Sequence, residues 1–97
     1  MPGLRRYEIV GRTFFVTSVT FNRLPVLEGN EKMLLDTFHN ITNRYSYDLI
    51  AWVIMPNHFH LILHTDNVSL SLILQRIKSS FSLTYNSVNN RKNRSIW

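Results

Sequence analysis

The sequence predicts an α+β fold, a β-α-β-β-α sandwich in which a small antiparallel sheet carries both helices on one face. Three observations lead there. Two windows repeat apolar residues at helical spacing. Three others read as strands, the first β-branched and aromatic and the second apolar on both faces. One of those, His58 to His64, alternates its side chains with period two.

The elements follow in order. Phe14-Phe-Val-Thr-Ser-Val-Thr-Phe21 is β-branched and aromatic and reads as the first strand, ended by Asn22, Arg23 and Pro25. Glu31 to Tyr45 reads as a helix, with Leu34, Phe38, Ile41 and Tyr45 in one stripe and Asn30 as its N-cap. Tyr47 to Met55 is a second strand, apolar on both faces and therefore expected in the middle of the sheet. Pro56-Asn57 signals a tight turn, so His58 to His64 returns as the other arm of a hairpin. Asp66, Asn67 and Ser69 break the chain. Leu70 to about Tyr85 is a second helix with Ile73, Ile77, Phe81 and Tyr85 on its buried face and Arg76 and Lys78 largely off it. Asn86 to Arg94 is polar and basic, and Ser95-Ile-Trp97 resumes apolar character.

Composition narrows the function. Ninety-seven residues with 44% hydrophobic content suit one folded domain with a modest core. With no cysteine, disulfides and thiolate zinc sites are excluded. No apolar run approaches the ~18 residues of a membrane span, and no signal peptide opens the chain. The formal charge of +5 suggests an anionic partner, nucleic acid first. The cations gather in the first and last quarters. Arg5, Arg6, Arg12 and Arg23 lie in one, and Arg76, Lys78, Arg91, Lys92 and Arg94 in the other. These nine are the candidate DNA contacts.

The chemistry sits in His58-Phe59-His60. On a strand the two imidazoles share one face, with Cα atoms about 7 Å apart, and both can reach one metal ion. His64 is in phase with them but roughly 13 Å from His60, so His58 and His60 form the pair. If Phe59, Leu61 and Leu63 face the helices, the pair lies on the open face of the sheet.

Trp52-Val-Ile-Met-Pro-Asn-His-Phe-His-Leu-Ile-Leu63 strongly resembles the signature of the HUH single-tyrosine transposases, which include small insertion-sequence transposases and REP-associated tyrosine transposases. Phe15-Val-Thr-Ser-Val-Thr resembles that family's first strand, Arg23 its turn arginine, and Leu70 to Asn86 its helix after the histidine strand. Trp97 resembles its tryptophan after the following loop.

The resemblance implies a ferredoxin-like or RRM-like HUH fold and an enzyme of DNA transposition. A tyrosine attacks single-stranded DNA to leave a 5′-phosphotyrosine and a free 3′-hydroxyl. The two histidines hold Mg²⁺ or Mn²⁺, which polarises the scissile phosphate. It implies single-stranded or hairpin DNA as partner, a homodimer, no membrane, and a cytoplasmic, nucleoid-associated setting in a bacterium or archaeon. In similar proteins the nucleophile and, in some, a third metal ligand lie on a later helix. The expectation is therefore one domain over residues 1–97, incomplete at its C-terminal side, with the nucleophile beyond Trp97. Tyr85 is the fallback nucleophile, and Tyr7, Tyr45 and Tyr47 have poorer claims.

Three readings stay open. The chain is a transposase fragment, a catalytically silent nucleic-acid-binding relative, or an unrelated α+β protein with structural histidines.

Overall fold

A computed structural model describes residues 4–91 and 95–97. Its strands are β1 (Leu4–Val10), β2 (Thr13–Val19), β3 (Asp48–Met55) and β4 (His58–His64), and its helices are α1 (Glu31–Arg44) and α2 (Leu70–Val88). A short 3-10 turn covers Phe21–Arg23. The strands pair antiparallel in the order β1-β2-β4-β3. No helix among the described residues is long and apolar enough to cross a membrane.

Alternation along β4 determines which face is which. Phe59, Leu61 and Leu63 are buried, while His58, His60, Ile62 and His64 are half-buried. The buried set meets Leu34, Phe38 and Ile41 of α1 and Ile73, Ile77 and Phe81 of α2. Phe38 meets Phe59 edge-on, with ring centroids 5.4 Å apart. Removing a phenylalanine of that size from water contributes up to about 3 kcal/mol. Both helices therefore lie on one face, as the α+β reading expects, and the histidine face carries none of them.

Strand β1 departs from the expected order. Leu-Arg-Arg-Tyr-Glu-Ile-Val mixes charge and apolar residues without alternation, so periodicity overlooks it. It is an edge strand paired only to β2, with both sides reaching solvent, and such a strand needs no clean pattern. The turn into β2 is made by Gly11 and Arg12 at φ +34° and +62°, the left-handed backbone that tight hairpins require.

Strand β3 corrects a second expectation. It lies at the opposite edge, not the centre, and exposes Ile50, Trp52, Val53 and Met55. Apolar character on both faces describes the side chains and says nothing of how many neighbours the backbone pairs with. A register shift between Leu49 and Ala51 interrupts this edge.

The caps differ too. Asn30 occupies the N-cap of α1 but its side chain donates back to the Val26 carbonyl, while Glu31 accepts from the Gly29 N–H. At α2, the Ser69 hydroxyl accepts from the Leu72 N–H at 3.3 Å. The segment 95–97 closes the end of the core. Ile96 is buried, its carbonyl takes the Phe21 N–H, and Trp97 sets its ring edge-on to Phe59.

Candidate metal and nucleic-acid site

His58 and His60 stand side by side on the helix-free face, with ring centroids 5.0 Å apart. Each ring is held from its Nδ1 side. The Asn57 Oδ1 lies 2.8 Å from His58 Nδ1, and the Thr17 Oγ1 lies 2.9 Å from His60 Nδ1. Strand pairing sets the second contact, because Thr17 of β2 is directly opposite His60. Neither Nε2 makes a hydrogen bond within the described chain. Burial pushes the His58 pKa down, and the charges of His60 and Arg23 push it further the same way. His58 is thus favoured in its neutral form, the form that binds metals.

Asn57 reaches two ways. Its side-chain amide nitrogen points to the Arg23 carbonyl at 3.4 Å, and its backbone carbonyl takes the Thr20 N–H at 2.9 Å. The turn it holds is strained, with Asn22 and Arg23 both at φ 53°. Two successive non-glycine residues in that region carry a cost of order 1–3 kcal/mol each. Through this turn Arg23 comes close enough to His58 to affect its titration.

His64 shares the face and stays apart from the pair. Its Nδ1 meets the Thr13 hydroxyl at 2.9 Å and its Nε2 meets Asp66 Oδ1 at 2.8 Å, so both ring nitrogens are occupied. Among the described residues no group of three or more His, Cys, Asp or Glu converges. Two imidazoles with exposed Nε2 atoms fit a divalent ion held by two protein ligands, with the remaining positions left to phosphate oxygens and water.

The tyrosines distribute as follows. Tyr85 is on α2, stacked on Phe81 with centroids 5.9 Å apart, on the other side of the sheet from the histidines. Tyr47 is buried and donates to the Phe38 carbonyl at 2.6 Å. Tyr45 borders a cleft between α1 and α2. Tyr7 shares the histidine face, because it is paired with Phe15, which stacks on His60.

The nine candidate DNA contacts do not form one surface. Arg5 and Arg6 point to opposite faces. Arg5 is opposite Thr17 on the histidine side, and Arg6 donates to Ser71 Oγ at 2.8 Å on the helix side. Arg12 donates to the Thr65 carbonyl. Arg76 is exposed on α2 with its guanidinium over Tyr45, and Arg91 lies over Tyr85 past the end of that helix. Lys78 corrects the sequence reading. It is 4% exposed, not off the apolar stripe, and its ammonium sits 5.5 Å from the Trp97 ring centre, so it offers no surface to DNA. Lys92 and Arg94 lie outside the described residues. Arg6 and Arg91 flank opposite ends of α2, whose 19 residues span about 28 Å.

Sequence reasoning did not single out Thr17 or Asn57. Asn57 was within reach, since it immediately precedes His58 in the signature. Thr17 becomes visible only once the β2–β4 register is known.

Comparisons with known proteins bear on the family and the fold. The family model described as "Transposase IS200 like" matches residues 12–97. A REP-associated tyrosine transposase, solved bound to a REP hairpin, is similar over 100% of this chain and 57% of its own, at TM-score 0.69 and 29% identity. A protein from Deinococcus radiodurans R1 assigned as a transposase shares the fold at TM-score 0.70 and 21% identity, over 87% of this chain and 66% of its own. The chain therefore spans about three fifths of the length of these solved chains. No curated protein sequence matches it. With the family model covering nearly all of its length, this chain belongs to the IS200-like transposase family.

Proposed function

We propose that this chain is the metal- and DNA-binding platform of an HUH-type transposase acting by single-strand cleavage and rejoining. The observation that carries the reading is the pairing of His58 and His60 on the helix-free face with both Nε2 atoms unengaged. In this reading the two imidazoles hold one Mg²⁺ or Mn²⁺. When bound, such an ion stabilises charge on phosphate oxygens. The chain's part is to fix both rings, keep His58 neutral, and present Arg5 and Arg23 near the phosphate. The substrate is single-stranded or hairpin DNA, supported by the net charge and by the hairpin bound to the similar solved protein. The setting is the cytoplasm.

Residues 1–97 act as one domain in this reading, and the nucleophilic tyrosine comes from outside them. Tyr85, the fallback, is separated from the histidines by the sheet. That placement also favours the second reading, a silent nucleic-acid-binding module derived from such an enzyme. The exposed edge of β3 supports a homodimer through Ile50, Trp52, Val53 and Met55. Sedimentation of wild type against Val53→Lys tests it, with a single monomeric species for both sinking the dimer.

The test of the site is Mn²⁺ titration by calorimetry on wild type and on His58→Ala/His60→Ala. Binding only by wild type supports it, and equal binding by both sinks it. DNA binding is read by fluorescence anisotropy, whose log affinity should fall with log salt by about 0.7 per phosphate neutralised on a single strand. Absence of binding at low salt removes the DNA reading.

A further inference from the structure

Strand β1 brings to the histidine face residues that sequence periodicity did not place there. Tyr7 is paired with Phe15 of β2, and directly paired residues share a face. Phe15 in turn stacks on His60, with centroids 5.7 Å apart and planes inclined by 25°. His60 adjoins His58 at 5.0 Å. Four rings thus run across three strands, from the edge of the sheet to the histidine pair. Tyr7 ends the run. It is 62% exposed, and among the described residues its ring stacks on no other. One row along, Arg5 is opposite Thr17, the residue bonded to His60. Arg5 is exposed and has no carboxylate partner among the described residues.

We infer that Tyr7 and Phe15, with Arg5 beside them, form a base-stacking subsite for a nucleotide of single-stranded DNA next to the phosphate held at His58 and His60. The inference rests on the proposed function and extends it from the phosphate to the base. An unpaired base offers a flat apolar face, and an exposed aromatic ring on a rigid strand is its complement. Neighbouring phosphates lie within the reach of an arginine, and here Arg5 is one strand pairing from the Thr17–His60 contact. Tyr7 alone would be an ordinary exposed residue of an edge strand. Its alignment with Phe15, the histidines and a free guanidinium gives the face alternating sites for bases and phosphates. Base-paired DNA, with its faces already stacked, finds no partner there.

The experiment uses short single strands carrying 2-aminopurine at successive positions, with wild type, Tyr7→Ala, Tyr7→Phe and Arg5→Gln. Tyr7 is exposed on an edge strand, and circular dichroism checks that each variant is folded. Wild type should quench the probe at one or two adjacent positions. Tyr7→Ala should lose that quenching and bind roughly 5- to 150-fold more weakly, the span of one base stacked on one ring. Its salt slope and Mn²⁺ affinity should match wild type. Tyr7→Phe should behave as wild type, which separates a stacking role from any role of the hydroxyl. Arg5→Gln should keep the quenching and lower the salt slope. If wild type binds single strands and Tyr7→Ala binds equally well with the same quenching, the subsite is overturned and the metal-site reading stands. If wild type binds hairpin DNA but no single strand, the subsite falls and the DNA reading stands; if it binds neither, both fall.

Discussion

Asn57 Oδ1 and His58 Nδ1 are 2.8 Å apart, and the chemistry of the two atoms leaves one arrangement of the proton. An amide oxygen only accepts, so His58 carries its hydrogen on Nδ1 and presents a lone pair at Nε2. The amide is oriented by its other end, which faces the Arg23 carbonyl. The Thr17 hydroxyl holds His60 at the same ring atom, and because a hydroxyl both donates and accepts it suits either tautomer of that ring. Each ring is thus oriented at its Nδ1 by a neighbour that leaves its Nε2 unengaged.

Asn57→Ala and Thr17→Val are each expected to weaken Mn²⁺ binding by about 10- to 100-fold while the fold is retained. Thr17→Ser should restore it, because the hydroxyl and not the methyl holds His60. Calorimetry measures the affinity, and nitrogen-15 shifts of the two imidazoles report the tautomer. Unchanged tautomer populations in Asn57→Ala would remove the positioning role.

A 97-residue chain with Tyr85 packed on Phe81 is expected to form no covalent adduct with DNA. In-line attack needs an oxygen about 3 Å from phosphorus, and a layer of sheet of about 10 Å intervenes. Incubation with labelled hairpin DNA and Mn²⁺, followed by a denaturing gel, checks it. An adduct abolished in Tyr85→Phe would relocate the nucleophile, and one abolished only in Tyr7→Phe would place it on β1.

Burial pushes the Lys78 pKa down to about 8. The unfolded chain ionises it near the ordinary lysine value, so between those two the folded state holds fewer protons. Stability should then rise as pH climbs from about 8 towards 10. Beyond about pH 10 burial of Tyr47 acts oppositely. Its pKa is raised, the unfolded state loses the phenolic proton first, and stability falls. Thermal melts from pH 7 to 11 should show this rise and fall. Lys78→Met should flatten the rise and Tyr47→Phe the fall; a rise that survives in Lys78→Met would assign it elsewhere.

Phe59→Ala should cost about 3–5 kcal/mol, a large share of a small domain's stability. Phe59 is fully buried, with Phe38 and Trp97 against its ring. Urea denaturation measures the loss. A cost below about 1 kcal/mol would mean the core on that face is loose.

The sequence made the histidine strand legible because burial on one face imposes a period of two on it. Both helices were legible for the same reason at their own period. The elements it obscured share another property. Strand β1 is an edge with polar and apolar side chains on either side, and β3 carries an apolar sequence to a place where half its backbone edge is unpaired. Neither position leaves a mark in hydrophobic periodicity. Lys78 was obscured because a long aliphatic stem can lie in a core while its ammonium rests against Trp97. Thr17 needed the strand register, a long-range fact that no local window contains.

The two tryptophans occupy opposite surroundings. Trp52 is 43% exposed on the β3 edge, and Trp97 is wedged among Phe59, Phe81 and the Lys78 ammonium. Their emission should therefore separate, with a red component from Trp52 and a blue component from Trp97 that the nearby cation modulates. A Trp52→Phe variant would leave one optical reporter lodged directly behind the strand that bears His58 and His60. Its spectrum would register events at the site without any label on the DNA or the metal.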